Sequence, residues 1–306
     1  MSNYLQRMNM YQKEMFPLPL NLALAFLMCF SFYFLFGIIN GIGQKGFSFI
    51  LMTGALNIFL LTLILRLMDE LKDKDIDILL FRERSLPSGR VSEKDIRFSL
   101  YIAIAVFLII NILYYKTFIF CLLLLGYSLM MYKFFFMPGL LRKHLLLSLI
   151  THNPVTAVLL FYLMILFSAE NSIKFSNINW GKNIILIFMF WSLILAWEIS
   201  RKIRSNEEEN EYETYSQVFG RVGAAAVVII IQTFTLAAAV YFYFHTSLSF
   251  IFIILTGAGY VYAMYGNIRF MLYPNPVTSK LKPFTVNYIL CFFAAVITEQ
   301  IFNIIR

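Results

Sequence analysis

Nine apolar segments, separated by shorter polar stretches, make up most of this chain of 306 residues. Each segment has about the 20 residues that a helix needs to cross the ~30 Å hydrocarbon core of a bilayer. Only 14% of the residues are charged, whereas about a quarter are charged in soluble domains. The sequence therefore predicts an all-α, polytopic membrane protein. The predicted spans are residues 18–39, 47–69, 95–114, 117–136, 144–168, 181–200, 222–244, 248–272 and 284–304.

No polar stretch is long enough to form a soluble domain, so we predict a single transmembrane helical domain over residues 1–306. Residues 1–17 are expected to form either a short interfacial helix or a disordered tail. Only Tyr115 and Lys116 separate the third and fourth spans, which predicts a tight hairpin. Cysteines in apolar segments indicate packing residues instead of a disulfide or a metal site. These cysteines are Cys29, Cys121 and Cys291.

The basic residues are distributed unequally between the two predicted sides of the membrane. The side that holds the polar loops 70–94, 201–221 and 273–283 carries most of them, and basic loops mark the cytoplasmic side. We therefore expect a multi-pass protein of a bacterial or archaeal cytoplasmic membrane, with its chemistry at the cytoplasmic face. The net charge of +8 fits contact with anionic lipid headgroups, and no aromatic-basic motif indicates a nucleic acid partner. The other side carries only Lys45, Lys116, Lys174, Lys182 and Arg306.

A cluster of acidic residues follows the second apolar segment, in the sequence DELKDKD. On a helix, side chains four positions apart lie on nearly the same face, which aligns three of these acids and places a fourth beside them. Crowded carboxylates repel one another, and a hard cation such as Mg²⁺ relieves that repulsion. The alternative is a charged helix end in which Lys72 and Lys74 neutralise the acids. The four acids are Asp69, Glu70, Asp73 and Asp77.

The sequence RERSLPSGR, residues 82–90, continues from the acidic cluster. Pro87 and Gly89 favour a turn that brings the chain back. Arg84 and Arg90 each carry a planar group of donors that suits phosphate oxygens. Carboxylates, a metal ion and arginines together predict a diphosphate site.

This stretch resembles the first signature of the UbiA superfamily of intramembrane prenyltransferases, N-D-x-x-D-x-x-x-D followed by R-P-x-P-S-G-R. Asp69 stands at the Asn position and Glu70 at the first Asp, so two positions depart from the pattern. Ser85 replaces the family's first Pro. The number of spans also matches the family, so the resemblance covers the whole chain. The positions that match the pattern are Asp73, Asp77, Arg84 and Arg90.

A second polar cluster, residues 197–220, follows the sixth span, where the family has spaced aspartates and then T-L-P-x-x-x-G. The run Thr214 to Ser216 and Gly220 fit the end of that signature. Glu198 is the expected first acid, but Arg201 stands where the second acid is expected. Acids in the following run are expected either to serve the site or to form a solvated loop. That run is Glu207, Glu208, Glu209, Glu211 and Glu213.

Polar residues inside the predicted spans usually face the interior of a helix bundle. His152 and Asn153 are predicted either to face the acceptor or to make structural hydrogen bonds, and Pro154 predicts a kink. Tyr265 is predicted to line the same cavity, although packing or lipid-facing roles are the usual ones for tyrosine in such a chain. The other polar or aromatic residues of this kind are Asn57, Gln232, Tyr260, Tyr262 and Arg269.

The resemblance implies a fold with nine helices around a central cavity and a cytoplasmic cap. It implies Mg²⁺-dependent transfer of a prenyl group from an isoprenoid diphosphate to a lipophilic acceptor, aromatic or polar, within the lipid bilayer. The implied metal ligands are Asp69, Glu70, Asp73, Asp77 and Glu198. The implied catalytic residues are Asp73, Asp77, Arg90 and Lys202. The implied substrate-binding residues are Lys72, Arg84, Arg90, Arg201, Lys202, His152, Asn153 and Tyr265.

Two other functions remain open at this point. A membrane terpene cyclase of the same superfamily would ionise the same diphosphate and cyclise the chain without an acceptor. A transporter or channel could use the acidic cluster to bind cations. Transport sites usually lie near the membrane midplane, however, and these acids lie at the end of a span.

Overall fold

The computed structural model describes residues 3–42, 48–114, 116–209 and 213–305, with no side-chain description for 304 and 305. The described residues are helical or irregular, without a β-strand. The helices are α1 (Tyr4–Met15), α2 (Leu18–Ile39), α3 (Phe49–Lys72), α4 (Lys74–Leu80), α5 (Glu93–Ile112), α6 (Phe118–Tyr132), α7 (Pro138–Leu141), α8 (Leu145–His152), α9 (Val155–Glu170), α10 (Trp180–Ser200), α11 (Tyr215–His245), α12 (Phe250–Leu272) and α13 (Lys282–Ile305).

Among the described residues, eight helical segments are long and apolar enough to cross a membrane. One of them joins α8 and α9, over Leu145–Glu170, and α6 is a ninth, shorter apolar helix. The predicted all-α membrane fold is therefore confirmed. The predicted kink at Pro154 is also present, because α8 ends at His152 and α9 begins at Val155. Of the residues on which the topology was predicted, Lys45, Tyr115 and Arg306 lie outside the described part of the chain.

The fourth predicted span, residues 117–136, is too long. The helix α6 ends at Tyr132, and a 3₁₀ turn over Phe134–Phe136 follows it. All three phenylalanines have positive φ values, between 46° and 61°, which end a right-handed helix. At 1.5 Å per residue, α6 is only ~22 Å long.

The chain groups into two compact units. The first unit contains Met1–Phe30, Lys45–Pro138 and Ile165–Ser172, and the second contains Ser31–Gln44, Gly139–Met164 and Ile173–Arg306. The expectation of a single domain stays a prediction.

In the first unit, α3 packs along α5. Asn57 of α3 and Asn111 of α5 are both buried, and their amides donate to each other, at 3.2 Å and 2.7 Å. Both amides are therefore satisfied within the apolar interior. The N-terminal helix α1 is preceded by Asn3, which forms a reciprocal cap with Gln6. A helix does occupy this segment, and its placement at the membrane surface stays a prediction.

In the second unit, α10, α11, α12 and α13 pack against one another. Gln232 of α11 is buried, donates to Thr285 at 3.2 Å and accepts from Asn267 at 3.0 Å. The amide thus joins three helices through polar contacts. Helix α12 approaches α13 closely at Gly266, where a side chain would overlap the ring of Phe284.

Candidate functional site

The acids after the second span do not lie on one continuous helix. Helix α3 ends at Lys72 and α4 begins at Lys74, with Asp73 between them at φ −98° and ψ 6°. The prediction that these acids form one stripe along a single helix is therefore wrong, because the helix is interrupted at Asp73. Asp and Lys alternate at this junction, and Asp side chains compete with helical hydrogen bonding. The break separates the cluster into Glu70 and Asp77, which are buried, and acids that lie nearer the surface, with Asp69 52% exposed.

Glu70 forms an ion pair with Arg66, one turn earlier on α3. Nη2 of Arg66 donates to Oε1 of Glu70, whereas Oε2 of Glu70 is buried and has no hydrogen-bond partner in the described structure. Nε of Arg66 and the hydroxyl of Tyr11 are buried as well, and they interact with each other without meeting the geometry of a hydrogen bond. Tyr11 lies where the charges of Glu70 and Arg66 both act on it. Burial raises the pKa of Tyr11, so its phenol stays neutral.

Asp77 is the second buried carboxylate, and it also faces an arginine. Nη1 of Arg84 donates to its Oδ1 at 2.9 Å. The guanidinium of Arg84 lies 3.8 Å from the centre of the Phe81 ring, a cation–π contact that fixes its orientation. The negative charge of Asp77 also acts on Glu70. Two carboxylates and two arginines therefore form one group of charges at the end of α3.

The loop from 81 to 92 is held by α1. Glu14 accepts from the backbone N–H of Ser85 at 3.1 Å and from its hydroxyl at 2.5 Å. Arg90 forms an ion pair with the same Glu14 at 2.9 Å. Arg90 also donates from Nε to Ser88 at 3.0 Å and from Nη2 to the carbonyl of Glu83. Arg90 is thus positioned by α1 and by its own loop.

The lysines beside the acids behave partly as the charged-helix-end alternative predicts. Lys72 pairs with Asp69 at 3.0 Å, and its ammonium lies 5.1 Å from the Phe134 ring. Lys74 instead pairs with Glu93, at the start of α5, at 2.9 Å. Neither lysine has an ion pair with Glu70 or Asp77 within the described residues.

The predicted Mg²⁺ can be tested against this donor set. Over the described residues, no three acids, histidines or cysteines are gathered as a metal cluster. Mg²⁺, however, is usually held by one or two carboxylates together with waters and substrate phosphates. The orphaned Oε2 of Glu70 and the nearby Asp77 supply that kind of donor. These residues therefore fit a phosphate-bridged Mg²⁺ and do not form a closed protein cage.

The second motif lies in the second unit. Glu198, near the end of α10, accepts from Nε and Nη2 of Arg201 at 2.6 Å and 2.8 Å. Lys202 is 3.4 Å from the same carboxylate. Arg201 also lies over the ring of Trp197. The predicted cations Arg201 and Lys202 thus both contact the predicted acid Glu198.

The acidic run after this motif is more ordered than a solvated loop. Glu208 accepts from the hydroxyls of Ser205 at 2.9 Å and Ser279 at 2.5 Å. Burial acts to raise the pKa of Glu208, but these hydrogen bonds outweigh it, and the pKa is lower than usual. Glu209 accepts from Thr214, the cap of α11. Glu207 is exposed, as a solvated loop would have it, and Glu211 lies outside the described residues.

Helix α11 begins as the second signature suggests, with Thr214 capping it through the backbone N–H of Gln217. The hydroxyl of Ser216 accepts from the backbone N–H of Arg204 at 2.7 Å. The helix is interrupted at Gly220, where φ is 72° and ψ is 160°. A residue with a side chain rarely adopts that conformation, so the glycine at this position has a physical reason.

The remaining predicted substrate-binding residues make contacts within the second unit. The Asn153 side chain accepts from the indole N–H of Trp191 at 2.6 Å, and Nδ1 of His152 lies 2.9 Å from the carbonyl of Ser148. These contacts are of the structural kind that the sequence left open. Tyr265 is 58% exposed and lies against the ring of Phe284, so it lines no enclosed space in its unit.

Three residues near the charges were not predicted as part of a site. Arg66 had a usable signal, because it stands four positions before Glu70 and such pairs meet on a helix. Tyr11 and Glu14 had none, since their partners are far away in the sequence.

Comparison with known proteins adds to this geometry. The UbiA prenyltransferase family matches residues 30–289. A structure from work on digeranylgeranylglyceryl phosphate synthase in membranes is similar at a TM-score of 0.62 and 13% identity, covering 96% of this chain and 98% of that one. The apo structure of a UbiA homolog from Aeropyrum pernix K1 is similar at 0.66 and 14% identity, covering 90% of this chain and 98% of that one. No curated protein sequence matches this chain.

Proposed function

Because the chain belongs to the UbiA prenyltransferase family, we propose that it transfers a prenyl group from an isoprenoid diphosphate to a lipophilic acceptor within the membrane. The observation that carries this proposal is the group of charges at the end of α3. Glu70 and Asp77 are buried there, and each faces an arginine. Such a group can take up both a metal ion and a phosphate without leaving a buried charge unbalanced.

Glu70 and Asp77 would hold Mg²⁺, with Asp69 and Asp73 at the more accessible side of the junction. Bound Mg²⁺ would supply positive charge to the diphosphate oxygens as the leaving group departs. In the second unit, Glu198 offers a carboxylate of the same kind. Its partners Arg201 and Lys202 hold it in place.

The cationic side chains have the second role in the proposal. As the carbon–oxygen bond to the diphosphate weakens, negative charge builds on the leaving oxygens, and fixed donors stabilise charge that develops in a transition state. Arg84 and Arg90 present forked donors for this purpose, and Lys72 adds a point charge. Lys202 and Arg201, which belong to the second motif, would stabilise the charge on the diphosphate in the same way.

The membrane-spanning helices supply the apolar surroundings. An allylic carbon that carries positive charge reacts readily with water, and a site lined by hydrocarbon side chains excludes water. The lipophilic acceptor, aromatic or polar, would reach the reacting carbon from the bilayer. We place the site on the cytoplasmic side, since the polar loops at this end of the spans carry most of the basic residues.

The test uses purified protein with Mg²⁺ and geranyl, farnesyl or geranylgeranyl diphosphate, with and without an acceptor lipid, and measures diphosphate release. Asp77→Asn should lower release by roughly 100-fold or more. Asp75→Asn is the matched control, because Asp75 is exposed on the same short helix and should keep the activity. Full activity of Asp77→Asn would refute the assignment. Cyclic hydrocarbon formed without an acceptor would identify a terpene cyclase instead.

A further inference from the structure

We propose that the N-terminal helix α1 is part of the diphosphate site, with Tyr11 as a ligand-contacting residue and Glu14 as a positioning residue for Arg90. This inference rests on the proposed function, because it assigns new residues to the same site. Neither of the two signatures described above includes α1, and the matched region begins only at residue 30.

The first observation is a meeting of unsatisfied polar atoms between α1 and α3. The hydroxyl of Tyr11, Nε of Arg66 and Oε2 of Glu70 are each buried, and none meets the geometry of a hydrogen bond in the described structure, although Tyr11 and Arg66 are close enough to interact. Tyr11 is only 1% exposed and Glu70 only 2%. Native proteins leave very few buried polar atoms unpaired, so three such atoms at one place call for a partner, which a bound group can supply. A phosphate oxygen or a metal-bound water would satisfy the hydroxyl and Nε.

The second observation is independent of the first and lies one helical turn further along α1. Glu14 holds Ser85 through two hydrogen bonds and Arg90 through an ion pair. A carboxylate that accepts from the loop and from the arginine together fixes where the guanidinium points. Since Arg90 stands at the last position of the S-G-R element, Glu14 determines the geometry of a predicted phosphate-binding group.

The beginning of α1 is attached separately. Arg7 donates from Nε and Nη2 to both oxygens of Asp95 at 2.8 Å and 2.7 Å. The Tyr4 hydroxyl is 2.8 Å from that of Ser99. These contacts hold the helix to α5 at four and seven positions from Tyr11, so they offer a control for effects that come only from loosening α1.

Tyr11→Phe and Tyr4→Phe form a matched pair with opposite expectations. Tyr11→Phe removes a buried hydroxyl that makes no well-formed hydrogen bond, so the melting temperature should stay nearly the same or rise. Its Kd for inorganic pyrophosphate with Mg²⁺, measured by calorimetry, should rise about tenfold because the ligand loses a contact. Tyr4→Phe removes a paired hydroxyl, so it should lower the melting temperature and leave the Kd within about twofold.

Unchanged pyrophosphate affinity in Tyr11→Phe would overturn the role of Tyr11. An equal loss of affinity in Tyr4→Phe would overturn it as well, since it would show that α1 acts only through its attachment. If Tyr11→Phe does not fold, Arg66→Lys, which keeps the positive charge beside Glu70 and removes Nε, is measured in the same way and should also bind pyrophosphate about tenfold more weakly.

Glu14→Gln and Arg90→Gln, made singly and together, test the positioning role. Each single variant should weaken pyrophosphate binding about tenfold and raise the KM for the prenyl diphosphate more than it lowers kcat. The double variant should bind no more weakly than Arg90→Gln alone, because Glu14 acts through Arg90. Glu83→Gln, an exposed acid of the same loop, is the control. Additive losses, or tighter binding in Glu14→Gln, would overturn the positioning role.

The wild-type protein separates this inference from the function on which it rests. If the wild type binds pyrophosphate and releases diphosphate from a prenyl substrate while the α1 variants do the same, only the role of α1 fails. If the wild type does neither, the proposed function itself fails.

Discussion

Two glutamates that each lie four positions from an arginine differ in how their charges are balanced. Glu70 is buried and depends on Arg66, whereas Glu93 is partly exposed and pairs both with Arg97, at the same spacing, and with Lys74. A buried charge that loses its partner is left without solvent or counter-charge, while an exposed one is hydrated. Equal spacing in the sequence therefore does not mean equal contribution to stability.

Arg66→Met should lower the free energy of unfolding by about 3 kcal/mol, because it leaves the Glu70 carboxylate buried and unpaired. Arg97→Met should lower it by less than about 1 kcal/mol. Thermal unfolding in detergent, followed for both variants, measures the difference. A larger loss in Arg97→Met would contradict the assignment of Glu70 as the buried charge.

Glu208 makes the stability of the second unit depend on pH. Its pKa is lower in the folded protein than in the unfolded chain, so it stabilises the fold above its unfolded pKa and loses that effect as the pH falls through the folded value. Between about pH 7 and about pH 3, the melting temperature of wild type should therefore fall more than that of Glu208→Gln. Glu207→Gln, at an exposed position, should follow wild type. Identical pH profiles for wild type and Glu208→Gln would be the contrary result.

The sequence identified some of these residues and missed others for a physical reason. Glu70 and Asp77 were predicted as metal ligands, together with Asp69 and Asp73, because helical spacing and charge are local properties. Tyr11 and Glu14 were not, since Glu14 meets Ser85 across 71 positions of the chain. Which of the acids is buried also depends on packing that no local pattern records.

The helices follow the predicted apolar segments closely. They differ from the prediction where the local backbone conformation breaks or ends a helix. One such place is the break between α3 and α4 at Asp73, and the other is the run of positive φ values at Phe134–Phe136. At both places the sequence has the pattern of an uninterrupted helix. Phenylalanine in a left-handed conformation is uncommon, so the sequence favoured a longer helix there. By contrast, the break at Pro154 was predictable because proline removes a backbone donor.

Gly266→Ala tests the close approach of α12 to α13. A methyl group there would overlap the Phe284 ring, so the variant should be destabilised by about 1–3 kcal/mol. Gly257→Ala, on the same helix, has open space around its Cβ and should be neutral or stabilised by up to about 1 kcal/mol. Thermal unfolding of both variants, together with Gly266→Ala in a Phe284→Leu background, measures the effect. Equal stability of the two alanine variants would exclude a tight contact at Gly266.

The whole molecule has the fold that the sequence predicts, since hydrophobic length alone identifies segments that can cross a bilayer. Its orientation in the membrane stays a prediction from the distribution of basic residues. The helix α10, Trp180–Ser200, would separate a loop on each side, with Ser176 before it and Glu207 after it.

Ser176→Cys and Glu207→Cys should therefore react with a membrane-impermeant maleimide from opposite sides. Both positions are exposed, and the native Cys29 and Cys121 are fully buried. In inside-out vesicles, Glu207→Cys should be labelled and Ser176→Cys protected. The reverse pattern would place both the polar loops and the proposed site on the outer side of the membrane, and would contradict the predicted orientation.

The attachment of α1 by ion pairs makes the protein sensitive to ionic strength. Arg7 with Asp95 and Arg90 with Glu14 are partly accessible to solvent, and dissolved ions shorten the reach of such attractions from ~10 Å at 0.1 M to ~3 Å at 1 M. The hydrocarbon contacts of the spanning helices do not weaken in this way. Concentrated sodium chloride should thus loosen the N-terminal helix while the embedded bundle stays intact.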